Sequence, residues 1–170
     1  MPNTVVKMEK VTSVKSSLYW IWLSALVIIV DQISKYLASQ FLTLYEPLVL
    51  TPFFNLTLLH NTGAAFSFFS HAKLAIYLFS LVAIVTSIVL VLWLRKTPSN
   101  QSLLGIALAL ILGGALGNLI DRIMYGYVID FFDFHLGGWH FAAFNVADSA
   151  ISIGAGLLLI TMFFCKRETS

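Results

Sequence analysis

The chain has 170 residues, 59% of them hydrophobic and 11% charged, with mean hydropathy +0.89 and a formal net charge of +2. A soluble domain carries about 45–50% apolar and about 25% charged residues, so this composition cannot cover a water-facing surface, and its apolar and aromatic content excludes disorder. The dispersed Lys and Arg residues give nucleic acid no basic face, and the single Cys165 permits neither an internal disulfide nor a structural zinc.

The expected class is an integral membrane protein, in which each spanning helix needs about 20 apolar residues. The first such stretch, Leu18–Leu42, is apolar except for Asp31 and Lys35. Its basic leader (Lys7, Lys10, Lys15) has the look of a signal peptide, but the run continues through Asp31-Gln32 without a small-residue break, so a retained helix is expected. Phe54-Asn55-Leu56-Thr57-Leu58 then alternates with period two, as a half-buried strand does, with Pro47 and Pro52 bracketing its approach. Leu74–Leu94 carries no charge, and Leu103–Ile120 is uncharged until Asp121-Arg122. In Asp130–Phe141, Gly137-Gly138 separates two alternating runs and predicts a two-residue hairpin turn. The last stretch, Phe141–Cys165, holds one charge, Asp148.

The fold expected is therefore an all-α membrane protein, one domain over 1–170, with helices at about 18–42, 74–94, 103–124 and 144–165. The segments 43–73 and 125–143 connect them outside the membrane, and form a small β-sheet at its surface. Aromatic residues such as Phe131, Phe132, Trp139 and Phe144 suit that headgroup level. With these spans, Lys7, Lys10, Lys15, Arg95, Lys96, Lys166 and Arg167 share one side, against Lys35, Lys73 and Arg122 on the other. The excess of positive charge predicts that both termini are cytoplasmic.

Charged residues within spans are costly and prompt a functional hypothesis. Asp31 and Lys35, Asn61, Asn118, Asp121 and Arg122, and Asn145 and Asp148 all fall at one depth on the outer side. Asn118 and Arg122 share a helix face, as do Asn145 and Asp148, and Asp31 and Lys35. Gly113-x-x-x-Gly117 and Ala150-x-x-x-Gly154 are small-residue patterns expected to bring the third and fourth helices together. A hairpin turn at Gly137-Gly138 sets Leu136 against Trp139; the same register carried back sets Asp130 opposite Asn145, near Asp148. Two carboxyls in one poorly hydrated site do not both ionise, so one can take a proton from water while the other polarises a carbonyl. That is peptide hydrolysis without a metal or a covalent intermediate.

Each residue also has a plainer reading. Asp148 can be a helix N-terminal charge, Asp130 a loop acid, Arg122 a snorkelling partner of Asp121, and Asp31–Lys35 an internal ion pair. Asn61 and Asn145 can cap the second and fourth helices, and Gly63 can serve backbone geometry. His135 and His140 face each other in the hairpin, but no third ligand of suitable spacing accompanies them, so no metal is expected.

Asp31-Gln32-Ile33-Ser34-Lys35, Asn61-Thr62-Gly63-Ala64-Ala65-Phe66, Gly117-Asn118-Leu119-Ile120-Asp121-Arg122, Val128-Ile129-Asp130-Phe131 and Phe144-Asn145-Val146-Ala147-Asp148-Ser149 resemble, in order, the motifs of bacterial lipoprotein signal peptidase (signal peptidase II). The resemblance covers nearly the whole chain outside its tails. It implies an aspartic endopeptidase of the bacterial inner membrane, with its active site on the periplasmic side and no cofactor. Such an enzyme cleaves prolipoproteins just before a cysteine that carries diacylglycerol. The implied catalytic pair is Asp130 and Asp148; Asn61, Gly63, Asn118, Arg122 and Asn145 match site-lining positions, and Asp31 and Lys35 a further motif. The partners expected are the lipidated substrate and membrane lipids, with the enzyme a monomer, its substrate entering laterally and the sheet and the Asn61–His71 segment covering the site. The alternatives are a proton-coupled exporter, which needs an acid near mid-bilayer, and a non-catalytic assembly subunit.

Overall fold

Backbone polar groups find no water in hydrocarbon, so a long apolar run satisfies them there only as a helix. The structure, a computed structural model, describes residues 16–63 and 72–164. A 3-10 turn, Ser17–Trp20, leads into α1 (Ile21–Phe41); β1 (Pro47–Thr51), β2 (Phe54–Asn61), α2 (Ala72–Lys96), α3 (Ser102–Tyr125), β3 (Val128–Leu136), β4 (Trp139–His140) and α4 (Val146–Phe164) follow. Among the described residues, 4 helices are long and apolar enough to cross a membrane. The basic tails, Cys165 and residues 64–71 of the expected cover lie outside the described residues.

Helix α3 is the central element and touches α1, α2 and α4. Between lipid-bathed helices association depends on close packing, which small residues allow. A Cβ on Gly117 would lie 2.6 Å from Asp31 Oδ2, and one on Gly113 would lie 2.7 Å from Val27 Cβ. The Gly113/Gly117 stripe therefore receives chiefly α1, while at Gly117 it also meets α4, where a Cβ would lie 3.4 Å from Ala147 Cβ. Helix α4 is admitted by Gly114, a third of a turn away, where a Cβ would run into the Ala147 carbonyl oxygen. The Gly154 half of the expectation holds, since a Cβ there would lie 2.8 Å from Ala107 O on α3. Leu90 and Leu94 of α2 close the other side of α3 against Leu108 and Leu112.

Both loops at one end of the bundle contribute to a single antiparallel sheet, ordered β1-β2-β3-β4. At the opposite end Ser17 N–H donates to Thr97 O at 2.8 Å, tying the start of the first helix to the α2–α3 turn. Strand β1 gives no periodic signal in the sequence because it is largely exposed on both faces. In β2 the pairing with β3 slips between Leu56 and Leu59, so the adjacent Thr57 and Leu58 are both buried. Alternation along β3 sends Ile129, Phe131 and Asp133 to one face, and Asp130, Phe132 and Phe134 to the other. The first face packs on α1, where Leu58, Ile129 and Phe131 meet Ala38 and Leu42.

The turn pairs Leu136 with Trp139 as expected, but Phe132 pairs with Phe144, one residue out of step. Phe141–Ala143 leave the strand conformation, and Phe141 N–H is retained only by Phe134 O at 2.8 Å. Asp130 thus does not face Asn145 across the backbone; their side chains meet instead.

Candidate active site

Helix α4 begins with a reciprocal cap. The Asn145 side-chain oxygen accepts the Asp148 N–H at 3.0 Å, and the Asp148 carboxylate accepts the Asn145 N–H at 3.2 Å. Both plainer readings are thus real: Asn145 caps the helix, and Asp148 closes its first turn. The same pair also faces a site. Asn145 Nδ2 donates to Asp130 Oδ1 at 2.8 Å, and Asn118 Nδ2 donates to Asp148 Oδ1 at 2.8 Å. The two carboxyls are consequently held from different elements, β3 and α4, around one buried asparagine.

The second Asp130 oxygen accepts from Asn61 Nδ2 at 2.8 Å. Asn61 does not cap α2; it ends β2, and its own side-chain oxygen accepts the Gly63 N–H at 2.8 Å. Gly63 turns the chain with φ +75°, and a Cβ there would lie 2.5 Å from the Phe79 ring, so backbone conformation and close approach both require glycine. Asp130 is buried, which raises its carboxyl from 3.8 to about 6. The nearby Asp148 adds to that rise, while the Asn61 and Asn145 amides and Lys35 oppose it.

Beneath this pair lies a buried charge cluster. Lys35 Nζ sits 2.8 Å from Asp31 Oδ2, 2.9 Å from Asp121 Oδ2 and 2.9 Å from Asn118 Oδ1. Asp31 also accepts the Ala147 N–H at 2.9 Å, and Asp121 accepts the Ile129 N–H at 3.1 Å. Gln32 Nε2 reaches Asp121 Oδ1 at 2.9 Å. The cluster ties α1 to α3, α4 and β3, and through Asn118 it continues to Asp148. An ion pair this dry is stable only when every oxygen and proton is engaged, as here.

Arg122 does not pair with Asp121. Its Nη1 donates to Asn118 O at 3.3 Å, and its guanidinium lies 5.5 Å from the centre of the Phe79 ring. Two neighbours on a helix point about 100° apart, so Asp121 turns to the α1 interface while Arg122 stays on the Asn118 face.

The structure gathers all the nominated residues, Asp31, Lys35, Asn61, Gly63, Asn118, Arg122, Asp130, Asn145 and Asp148, at the sheet end of the bundle. It adds roles for Asp121 and Gln32, which the sequence placed in the motifs without a site role, and for Phe79, which it did not single out. Asp121 was detectable, since it continues the Gly113/Gly117 stripe by one further turn. Phe79 was not, because an aromatic in an uncharged span carries no mark of its own. His135 and His140 stack with ring centres 5.1 Å apart; His140 Nδ1 contacts Asp133 at 2.8 Å, and His135 Nε2 contacts Asn55 at 3.2 Å.

The family described as signal peptidase (SPase) II matches residues 23–164. The lipoprotein signal peptidase of Coxiella burnetii (strain Dugway 5J108-111) is 53% identical over 144 residues, 84% of this chain and 88% of that protein. The lipoprotein signal peptidase of Acinetobacter baylyi is 48% identical over 169 residues, 99% of this chain and 94% of that protein. A bacterial membrane enzyme solved by the in meso method at 2.3 Å superposes with TM-score 0.78 and 31% identity, covering 89% of this chain and 92% of that one.

Proposed function

The chain belongs to the signal peptidase II family and is a membrane protease, a lipoprotein signal peptidase, and from that premise we propose that Asp130 and Asp148 form its catalytic dyad. The observation that carries this reading is the single Asn145 side chain and cap that hold both carboxyls. A water between them loses a proton to the ionised member while the protonated member donates to the scissile carbonyl. The tetrahedral intermediate collapses when the proton is passed to the leaving amine. Burial and the charge of Asp148 favour the proton on Asp130, and Asp148, with its helix-terminal donors, is the base.

The substrate is a prolipoprotein whose cysteine carries diacylglycerol, and the bond broken precedes that cysteine. Its signal helix lies in the bilayer and reaches the dyad laterally between helices. Asn61 and Asn118 position the carboxyls, and Arg122, freed from Asp121, grips a substrate carbonyl or the lipid's polar region. Lys35 with Asp31 and Asp121 fixes the floor. The sheet end faces the periplasm, the termini face the cytoplasm, and the protein works as a monomeric single domain in the inner membrane.

The test is to incubate purified protein with a diacylglyceryl-modified prolipoprotein and with its unlipidated twin. Cleavage before the modified cysteine, with little or none of the twin, is expected. Equal processing of both contradicts the proposed recognition.

A further inference from the structure

Helix α2 gives the site no charged or hydrogen-bonding side chain, yet its Phe79 touches the site at two points. The Arg122 guanidinium lies over the Phe79 ring, 5.5 Å from its centre. The same ring meets the turn after β2, where a Cβ on Gly63 would lie 2.5 Å from Cε2 and 2.9 Å from Cδ2. We propose that Phe79 is a positioning residue of the peptidase, whose ring holds Arg122 in place without consuming the donors that Arg122 offers to substrate. This inference deepens, and rests on, the reading of Arg122 as the group that grips a substrate oxygen.

The choice of partner matters. A guanidinium presents five N–H donors in a planar fork. A carboxylate partner would neutralise its charge and occupy two donors at once. The neighbouring acid, Asp121, is instead paired with Lys35 at 2.9 Å. Among the described residues Arg122 has no ion pair, and its one hydrogen bond is the 3.3 Å contact from Nη1 to Asn118 O. A ring face attracts the cation through its quadrupole and takes up none of the fork's lone-pair partners. Phe79 thus restrains a long, rotamer-rich side chain and leaves its charge and most of its donors for a carbonyl oxygen.

The ring is itself held. Because Gly63 has no side chain, its turn packs directly on Phe79, and that turn is pinned by the Gly63 N–H donating to Asn61 Oδ1 at 2.8 Å. Asn61 in turn donates to Asp130 at 2.8 Å. Arg122 bonds the backbone of Asn118, whose amide donates to Asp148 Oδ1 at 2.8 Å. One aromatic ring therefore touches both the turn that carries the Asp130 donor and the cation beside the Asp148 donor. Phe79 is half-buried, and partial desolvation strengthens a contact between cation and ring.

The test replaces Phe79 in the full-length enzyme by mono-, di- and trifluorophenylalanine, which weaken the negative ring face in steps and change its size little. The substrate is the diacylglyceryl-modified prolipoprotein. KM should rise stepwise, by about threefold to tenfold at the trifluoro ring, with kcat held within about twofold. Phe79→Leu, which keeps apolar bulk without a ring, should raise KM at least as far, and Phe79→Tyr should stay within about twofold of wild type. In an Arg122→Met background the fluorinated rings should leave KM where Arg122→Met alone puts it. A KM that ignores fluorination while Arg122→Met raises it overturns the role of Phe79 and leaves the Arg122 grip standing. The same fluorine dependence without Arg122 also overturns that role, since the ring would then act by packing alone. A KM unmoved by Arg122→Met overturns the grip, and this inference with it.

Discussion

Asn145 and Asp130 are joined side chain to side chain at 2.8 Å across the gap between α4 and β3. Because Asn145 also accepts the Asp148 N–H and donates to its carboxylate, a single residue sets the spacing of both acids. Asn145→Ala should therefore lower kcat by about 10²-fold through misplacement. Loss of the cap should also cost about 1 kcal/mol of stability. Steady-state cleavage and thermal unfolding in detergent measure the two effects separately.

The Asp130 carboxyl at about 6 gives the pH profile a direction. If the active dyad holds one proton, kcat/KM should fall on the alkaline side as pH rises through the region of 6, where that proton is lost. The Asn61 amide favours the ionised form, so Asn61→Ala should move this limb to higher pH. A limb that stays in place, or moves to lower pH, contradicts the assignment of Asn61 to Asp130.

Lys35 should prove more important to folding than to chemistry. Lys35→Met leaves Asp31 and Asp121 buried without their cation, at a cost of about 3–5 kcal/mol. The triple change Asp31→Asn, Lys35→Met, Asp121→Asn should recover much of the lost thermal stability, since no unpaired charge remains. Unfolding midpoints in one detergent decide this.

The sequence displayed the spans and the depth of the polar residues openly, because hydrocarbon thickness fixes both. The turn register at Leu136 and Trp139 was legible for a similar reason, as two glycines leave few alternatives. The meeting of Asp130 with Asn145 was anticipated through the wrong geometry. A one-residue slip between His140 and Phe144 moves the backbone out of step, and a long side chain closes the difference. The inward turn of Asp121 was missed because a neighbouring arginine offered an obvious exposed partner. Strand β1 was invisible, since exposure on both faces leaves no alternation to read.

Gly117 tests how closely α1 must approach α3. A methyl group there would lie 2.6 Å from Asp31 Oδ2, which is itself held by Lys35. Gly117→Ala should destabilise by about 1–3 kcal/mol. Activity should fall with it, because the displaced cluster reaches Asp148 through Asn118. Gly156, where an added methyl group would meet nothing, is the control: Gly156→Ala should leave activity unchanged and should not destabilise, gaining up to about 1 kcal/mol from helix propensity.

The most direct measurement is cleavage of a diacylglyceryl-modified prolipoprotein by Asp130→Asn and Asp148→Asn, each checked for wild-type thermal unfolding and elution. Both should lose at least about 10³-fold in kcat, since a dyad missing either acid has no base or no proton donor. A folded variant of either kind that cleaves within tenfold of wild type contradicts the dyad.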